Sequence, residues 1–302
     1  MPTIPPLPQS IGGSSAASAT LWRRVDPMGA ASGSREEGRI ALGHRRLAII
    51  DLSERGAQPI VSDDSQLVIS FNGEIYNYRT LRTQLERKGY VFQSQSDTEV
   101  LLHLYAEKGE AMLEDLRGMF AFALWDGRKK GLFLARDPFG IKPLYYADDG
   151  TTIRVASQVK ALLKGTHIDT TPEPAGHVGF YLWGHVPEPY TLYKGIRALP
   201  AGSALWVDGT GRHEPRRFFS LTGELVRAGE SALTLHPQEM QERLRAALID
   251  TVRHHLIADV PVGVFLSSGL DSTTLMTLTA ERGGRPAHRH AGFWRVPGHG
   301  ER

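Results

Sequence analysis

Short apolar runs follow one another closely in the middle of the chain, with turn residues between them. LVISF covers residues 67–71, and MFAFALW covers residues 119–125 with large and small side chains in alternation. Further runs cover residues 131–135, 144–147 and 153–156. Short strands in such close succession are typical of antiparallel sheets. The pattern therefore predicts an α+β fold and not a series of βαβ units.

Three helices are predicted from apolar residues at helical spacing. Residues 79–88 carry Leu81 and Leu85, and residues 98–108 lie between Asp97 and Gly109, which suit the two ends of a helix. Residues 237–257 form the strongest amphipathic pattern, and its apolar stripe consists of Met240, Leu244, Ala247, Leu248, Val252 and Leu256.

Composition limits the classes of function. The chain has no cysteine, which excludes disulfides, thiolate metal sites and a cysteine nucleophile. A net charge of +2 is too small to predict a nucleic-acid partner. No run approaches a membrane span and no signal peptide is recognisable, so we expect a cytoplasmic protein without membrane contact.

Five residues have the chemistry needed to hold glutamine. An arginine such as Arg46 suits an α-carboxylate, Asp97 suits an α-ammonium, and Glu74 lies beside the Asn72-Gly73 pair, which offers donors to an oxyanion. Taken singly, each has a plainer interpretation: a surface arginine, a helix cap, and a hairpin turn that ends the strand at residue 71.

Five sequence blocks favour the glutamine site over these plainer interpretations. GHRRLAIIDLS, FNGEIYNY, SQSDTEVLLHLY, GMFAFALWD and ARDPFGIKPLYY occur in this order. Together they resemble the glutaminase domain of glutamine-hydrolysing asparagine synthetases, which are class II glutamine amidotransferases. The resemblance implies an N-terminal-nucleophile-type αββα sandwich over residues 39–219. It also implies that Arg46, Asn72, Gly73, Glu74 and Asp97 bind glutamine, with Asn72 and Gly73 as the oxyanion hole.

The family's nucleophile is an N-terminal cysteine, and this chain begins Met1-Pro2. No catalytic residue is therefore assigned, and we expect no glutamine hydrolysis. Residues 1–38 are rich in Pro, Gly, Ser and Ala and are predicted to be disordered.

A second motif follows the predicted linker at residues 220–236. The strand VGVFL at residues 262–266 leads into SSGLDS and a helix over residues 272–280. Such a junction binds anions, and the segment resembles the pyrophosphate loop of the same family's synthetase domain. The resemblance implies that ATP is held with Mg²⁺ at Asp271. The predicted ATP-binding residues are Leu266, Ser267, Ser268, Gly269, Asp271 and Ser272.

The whole sequence therefore predicts a fragment of an asparagine synthetase, in which an incomplete α/β PP-loop ATPase domain covers residues 237–285 and residues 286–302 diverge. The intact reaction would amidate aspartate through β-aspartyl-AMP. A cysteine-less amide-forming enzyme of the β-lactam synthetase type and a non-catalytic glutamine-binding module are the alternatives. A homodimer is left open.

Overall fold

The strands are short and mostly antiparallel, as the apolar runs predict. The structure is a computed structural model that describes residues 19–23, 40–44, 49–260, 262–267, 269–281 and 287–290. Its strands are β1 (Ala19–Arg23), β2 (Ile40–Leu42), β3 (Ile60–Val61), β4 (Leu67–Ile75), β5 (Gly118–Asp126), β6 (Gly131–Arg136), β7 (Tyr145–Asp148), β8 (Thr152–Ala156), β9 (Arg197–Ala198), β10 (Ser203–Asp208), β11 (Gly211–Arg212), β12 (Arg216–Arg217), β13 (Gly263–Leu266) and β14 (Ala287–His290).

Seven α-helices and two 3-10 turns, at Glu54–Gly56 and Gly109–Glu114, complete the described elements. The helices are α1 (Tyr78–Arg87), α2 (Asp97–Lys108), α3 (Val159–Leu162), α4 (Pro174–Trp183), α5 (Leu221–Glu230), α6 (Pro237–His255) and α7 (Leu270–Glu281). None of these helices is both long enough and apolar enough to cross a bilayer.

The chain divides into two compact units, of which the first comprises Met1–Ala48 and Ser53–Glu224. Its strands form two sheets, ordered β2-β1-β8-β7-β9 and β11-β10-β6-β5-β4-β3, with β12 also paired to β10. One apolar cluster takes buried side chains from both sheets, so the sheets pack face to face. Its buried members are Ala121, Ala123, Leu132, Leu134, Leu144, Tyr146, Ile153, Val155, Leu199, Leu205 and Val207.

Helices cover the outer faces of both sheets. On β5 the alternate residues Phe120, Phe122 and Leu124 are buried on the side opposite the inter-sheet core. The Tyr105 ring of α2 lies 5.7 Å from the Phe133 ring on that side. On the other sheet, Ala147 and Ala156 pack with Leu162 of α3. The layers are therefore helix, sheet, sheet and helix, and the predicted αββα sandwich is confirmed.

The second unit comprises Ile49–Leu52 and Leu225–Arg302. In it β13 and β14 pair in parallel, with Gly263 opposite Ala287 and Leu266 opposite His290, and α7 packs on β13. The predicted strand–loop–helix junction is therefore present at residues 263–281.

Three elements lie in segments that the sequence predicts to be disordered, divergent or irregular. β1 falls within residues 1–38, and its backbone pairs with β2 and with the distant β8. β14 falls within the divergent segment and pairs with β13. Both depend on partners far away in sequence, which local composition cannot reveal. α5 occupies residues 221–230 of the predicted irregular linker, and Ser220 caps it by accepting the Gly223 N–H at 3.2 Å.

Candidate functional site

The Asn72-Gly73 pair lies inside a strand, so the predicted hairpin turn is wrong. β4 continues through Asn72 and Gly73 to Ile75, and it pairs with β5 along its whole length, with Gly73 opposite Phe120. The nine-residue ladder supplies backbone hydrogen bonds that a turn at these residues would lose.

Glycine is required at residue 73 by the closeness of β5. A Cβ atom built there would lie 2.1 Å from the Met119 carbonyl oxygen and 2.8 Å from the Phe120 Cα. No side chain fits at such distances. The backbone around Gly73 is therefore held tightly against β5.

The edge of β4 that faces away from β5 is polar. The Phe71 N–H donates to Gln58 Oε1 at 2.7 Å, and the Ile75 N–H donates to Asp97 Oδ2 at 3.0 Å. Backbone N–H groups alternate along a strand, so the Gly73 N–H points to the same edge as those of Phe71 and Ile75. It lies between the Gln58 amide and the Asp97 carboxylate, where it is placed to donate to an oxyanion.

The carboxylate of Asp97 is buried at the polar edge of β4. Ser96 caps α2 by accepting the Thr98 N–H at 3.2 Å, so Asp97 is the first helical residue and not the predicted cap. Burial raises the pKa of Asp97 to about 6, opposed by the Ile75 N–H and reinforced by the nearby Glu74. A cation bound here would remove the cost of that buried carboxylate.

Asn72 and Glu74 lie on the inter-sheet face of β4, because side chains alternate along a strand. Asn72 lines a cavity of about 10 Å³ between the sheets, with Ser70, Ala121 and Ser157 among its neighbours. Glu74 is buried near Asp97. The structure thus brings together four of the five predicted glutamine-binding residues: Asn72, Gly73, Glu74 and Asp97. Arg46 lies outside the described residues.

Sequence reasoning missed two polar groups near this site, Gln58 at the outer edge of β4 and Asp137 on the side of β5 that faces β6. Gln58 precedes a proline in an irregular segment, and nothing in its local pattern marks it. Asp137 belongs to the block ARDPFGIKPLYY, but it was given no role there. Its fully buried carboxylate accepts from Phe120, which lies opposite Gly73, at 3.2 Å, and from the backbone N–H groups of Phe139, Ile141 and Lys142.

The second motif forms a closed loop between β13 and α7. The hydroxyls of Ser267 and Ser272 lie 2.9 Å apart, and Ser272 Oγ accepts the Ser267 N–H at 3.1 Å. Gly269 N–H donates to Ser267 Oγ at 3.1 Å. These two hydroxyls, predicted to face a phosphate, are thus used within the loop.

The remaining members of the predicted ATP site have different positions. Leu266 ends β13, Asp271 lies in the first turn of α7 and is exposed, and Ser268 lies outside the described residues. Across the described part of the chain, no group of three or more His, Asp or Glu side chains could hold a metal ion. A Mg²⁺ ion at Asp271 would therefore take its other ligand oxygens from the nucleotide or from water.

Comparisons with known proteins agree with both motifs. A family model described as a glutamine amidotransferase domain matches residues 23–219, and an asparagine synthase family model matches residues 243–297. The glutamine-hydrolysing asparagine synthetase 1 of Bacillus subtilis (strain 168) is 39% identical over 242 residues, which is 80% of this chain and 37% of the relative. Asparagine synthetase B of Escherichia coli (strain K12) is 38% identical over 246 residues, 81% of this chain and 38% of the relative.

A solved structure also overlaps the fold. The glutamine phosphoribosylpyrophosphate amidotransferase of B. subtilis superposes with a TM-score of 0.46 at 24% identity, over 68% of this chain and 43% of that chain. The two packed sheets define the fold independently of this overlap. The chain spans under two fifths of the length of the two asparagine synthetases named above.

The family match covers most of the sandwich and includes the polar edge of β4, and the asparagine synthase match covers the loop before α7. The chain belongs to the glutamine amidotransferase domain family, in the form found in glutamine-hydrolysing asparagine synthetases.

Proposed function

We propose that this chain holds glutamine at the polar edge of β4 and does not hydrolyse it. The observation that carries the proposal is the buried Asp97 carboxylate, whose pKa is raised to about 6 mainly by burial and which accepts the Ile75 N–H two residues along the strand from Gly73. A buried carboxylate is costly unless a cation offsets its charge, and an α-ammonium would supply that cation.

The substrate would lie along the edge between Asp97 and Gly73. Its α-ammonium would bind Asp97, with Glu74 nearby, and its side-chain carbonyl oxygen would accept from the Gly73 N–H. The Asn72 amide would be the second donor to that oxygen, and Arg46 would bind the α-carboxylate. Both donors would stabilise an oxyanion if a nucleophile attacked the amide.

Hydrolysis also requires a nucleophile, and none is assigned in this chain. The family's thiolate cannot be supplied here, because the sequence contains no cysteine. Binding and orientation of glutamine therefore remain as the activity that these residues support.

Calorimetry with glutamine tests the proposal. We expect binding by the natural chain and at least about tenfold weaker binding by Asp97→Asn, since hydrogen bonds to charged groups contribute about 1.5–3 kcal/mol. Asp64→Asn is the matched control, because Asp64 lies on the exposed surface and pairs with Arg128. Glutamate release above the buffer rate would overturn the inactive assignment, and equal heats for the natural chain and Asp97→Asn would overturn the binding mode.

A second proposal concerns the loop before α7. We propose that Leu266, Ser267, Ser268, Gly269, Asp271 and Ser272 bind the phosphates of ATP, with Mg²⁺ at Asp271. The supporting observation is the position of this loop at the N-terminus of a twelve-residue helix, where N–H groups favour anions. The asparagine synthase match makes ATP the expected nucleotide.

Equilibrium binding of a fluorescent ATP analogue, with and without Mg²⁺, tests this second site. Asp271→Asn should remove the increase in affinity that Mg²⁺ produces and should not weaken metal-free binding, because it removes a negative charge beside the phosphates. Asp250→Asn, on α6, is the control. Absence of binding by the natural chain would remove the proposal.

At the level of a whole protein, we propose a place in glutamine-dependent asparagine synthesis, with aspartate as the amide acceptor. The names of the relatives support this assignment. The β-lactam-synthetase-type alternative gains no separate support from the described residues. A cytoplasmic location and a homodimer stay predictions.

A further inference from the structure

Gln58 connects the two elements that define the candidate glutamine site. Its Oε1 accepts the Phe71 N–H at 2.7 Å, and its Nε2 donates to Thr98 Oγ1 at 3.2 Å. Phe71 belongs to β4 and Thr98 to the first turn of α2. One side chain therefore fixes the distance between the strand edge and the helix that carries Asp97.

The connection matters because β3 does not cover this part of β4. β3 pairs only with Val68 and Ile69, so among the described residues no strand pairs with the edge of β4 from Phe71 onward. Two side chains accept its backbone N–H groups on this side, Gln58 at Phe71 and Asp97 at Ile75. The Gly73 N–H lies midway between the two.

We propose that Gln58 is a positioning residue for glutamine binding, which sets the Gly73 N–H at its working distance from the Asp97 carboxylate. This inference rests on the proposed function, because the ligand is the glutamine assigned there. Gln58 itself need not contact the ligand. It acts by holding β4 and the N-terminus of α2 in one arrangement.

The geometry also favours an amide over other side chains at this position. A carboxamide accepts and donates at the same time, and the Phe71 N–H needs an acceptor while Thr98 Oγ1 is placed to accept. A methionine has similar length and flexibility but makes neither strong hydrogen bond. Gln58→Met therefore removes the connection with little change in volume.

Two variants test the connection from its two ends. Gln58→Met and Thr98→Val should each weaken glutamine binding, by about tenfold and about threefold respectively, if one buried hydrogen bond contributes about 0.5–1.5 kcal/mol. The double variant should be no weaker than Gln58→Met alone, because both substitutions break the same connection. Thr98→Ser keeps the hydroxyl and should restore natural affinity. Gln84→Met and Thr80→Val, both on the exposed surface of α1, are the matched controls.

A second measurement separates positioning from general stability and from the existence of the glutamine site. In ligand-free protein, the amide resonance and hydrogen exchange of Gly73 should change in Gln58→Met and stay natural in Thr98→Ser, with amides of β6 unchanged. If the natural chain binds no glutamine, the proposed function fails, and the Gly73 amide still decides whether Gln58 positions it. If glutamine binds but Gln58→Met changes neither affinity nor the Gly73 amide, Gln58 has no positioning role.

Discussion

At the scale of single residues, the ionised carboxylate of Asp97 lowers the free energy of unfolding, because it is buried. Its folded pKa of about 6 exceeds the ordinary value of 3.8, so the folded protein binds more protons between those values. The free energy of unfolding from this group therefore falls as pH rises from about 4 to about 6. The cost at pH 7 is roughly 3 kcal/mol, at 1.36 kcal/mol per pKa unit.

Asp97→Asn should consequently stabilise the protein at pH 7. The asparagine carbonyl still accepts the Ile75 N–H, while the buried charge is gone, so we expect a gain of roughly 1–3 kcal/mol. Urea unfolding at pH 7 and pH 4 measures it, and the gain should shrink at pH 4, where Asp97 is already neutral. A variant less stable than the natural chain at pH 7 would contradict the burial argument.

Glutamine binding should depend on the same ionisation. An ammonium binds the charged carboxylate, so affinity should rise with pH through about 6 and level off above it. With a pKa near 6, about a tenth of the protein is ionised at pH 5, and binding there should be about tenfold weaker than at pH 7. Calorimetry across pH 5–8 gives the profile, and Asp97→Asn should flatten it. A flat profile for the natural chain would assign the ammonium contact to another group.

At the scale of elements, pairing with β5 holds β4 in place on the side opposite its polar edge. Gly118 repeats the constraint seen at Gly73, since a Cβ on Gly118 would lie 2.2 Å from the Glu74 carbonyl oxygen. Both glycines therefore keep the strand that carries Asn72 and Glu74 in register.

Gly118→Ala should therefore destabilise the protein by roughly 1–3 kcal/mol, the usual cost of an overpacked contact, and it should also weaken glutamine binding by displacing Glu74. Gly209→Ala is the control, because a Cβ there would have no atom within 4 Å. Urea midpoints of the two variants provide the comparison. Equal midpoints would mean that the strands separate easily at this point.

Elements with a complete local sequence pattern were predictable, and elements that depend on contacts with distant residues were not. α2 and β6 carry complete local patterns, and the structure begins and ends them within one residue of the predicted bounds. β4 was predicted to stop at residue 71, because Asn72-Gly73 is a local turn signal that the ladder with β5 overrides. Gln58 could not be predicted at all, since its role depends on contacts with Phe71 and Thr98.

At the scale of the whole molecule, α1 of the first unit and α6 of the second differ in how well their side chains are covered. In the first unit, α1 buries Leu81 and Leu85. In the second, every residue of α6 from 237 to 248 is exposed, and Val252 is the buried residue of that helix. Met240 and Leu244 of the predicted apolar stripe are 56% and 61% exposed. The amphipathic pattern thus predicted the helix correctly but not its burial.

Helices without packed side chains open locally at low cost, since most helical stability comes from tertiary packing. Trypsin should therefore cut after Arg243 or Arg245 of α6 well before it cuts after Arg82 of α1. Arg82 donates to the Ser94 carbonyl at 2.7 Å and lies 4.4 Å from the Phe92 ring centroid, whereas Arg243 is held by a single exposed pair with Glu239 at 2.8 Å.

Time-resolved proteolysis with intact-mass analysis measures the order of these cuts. Glu239→Gln removes the exposed pair and should speed cleavage in α6 by no more than about twofold, because such pairs contribute only about 0.3–0.5 kcal/mol. Cleavage after Arg82 at the same rate as in α6 would show that burial of Leu81 and Leu85 gives α1 no protection. Protection of α6 that grows with protein concentration would instead mean that another copy of the chain covers Met240 and Leu244.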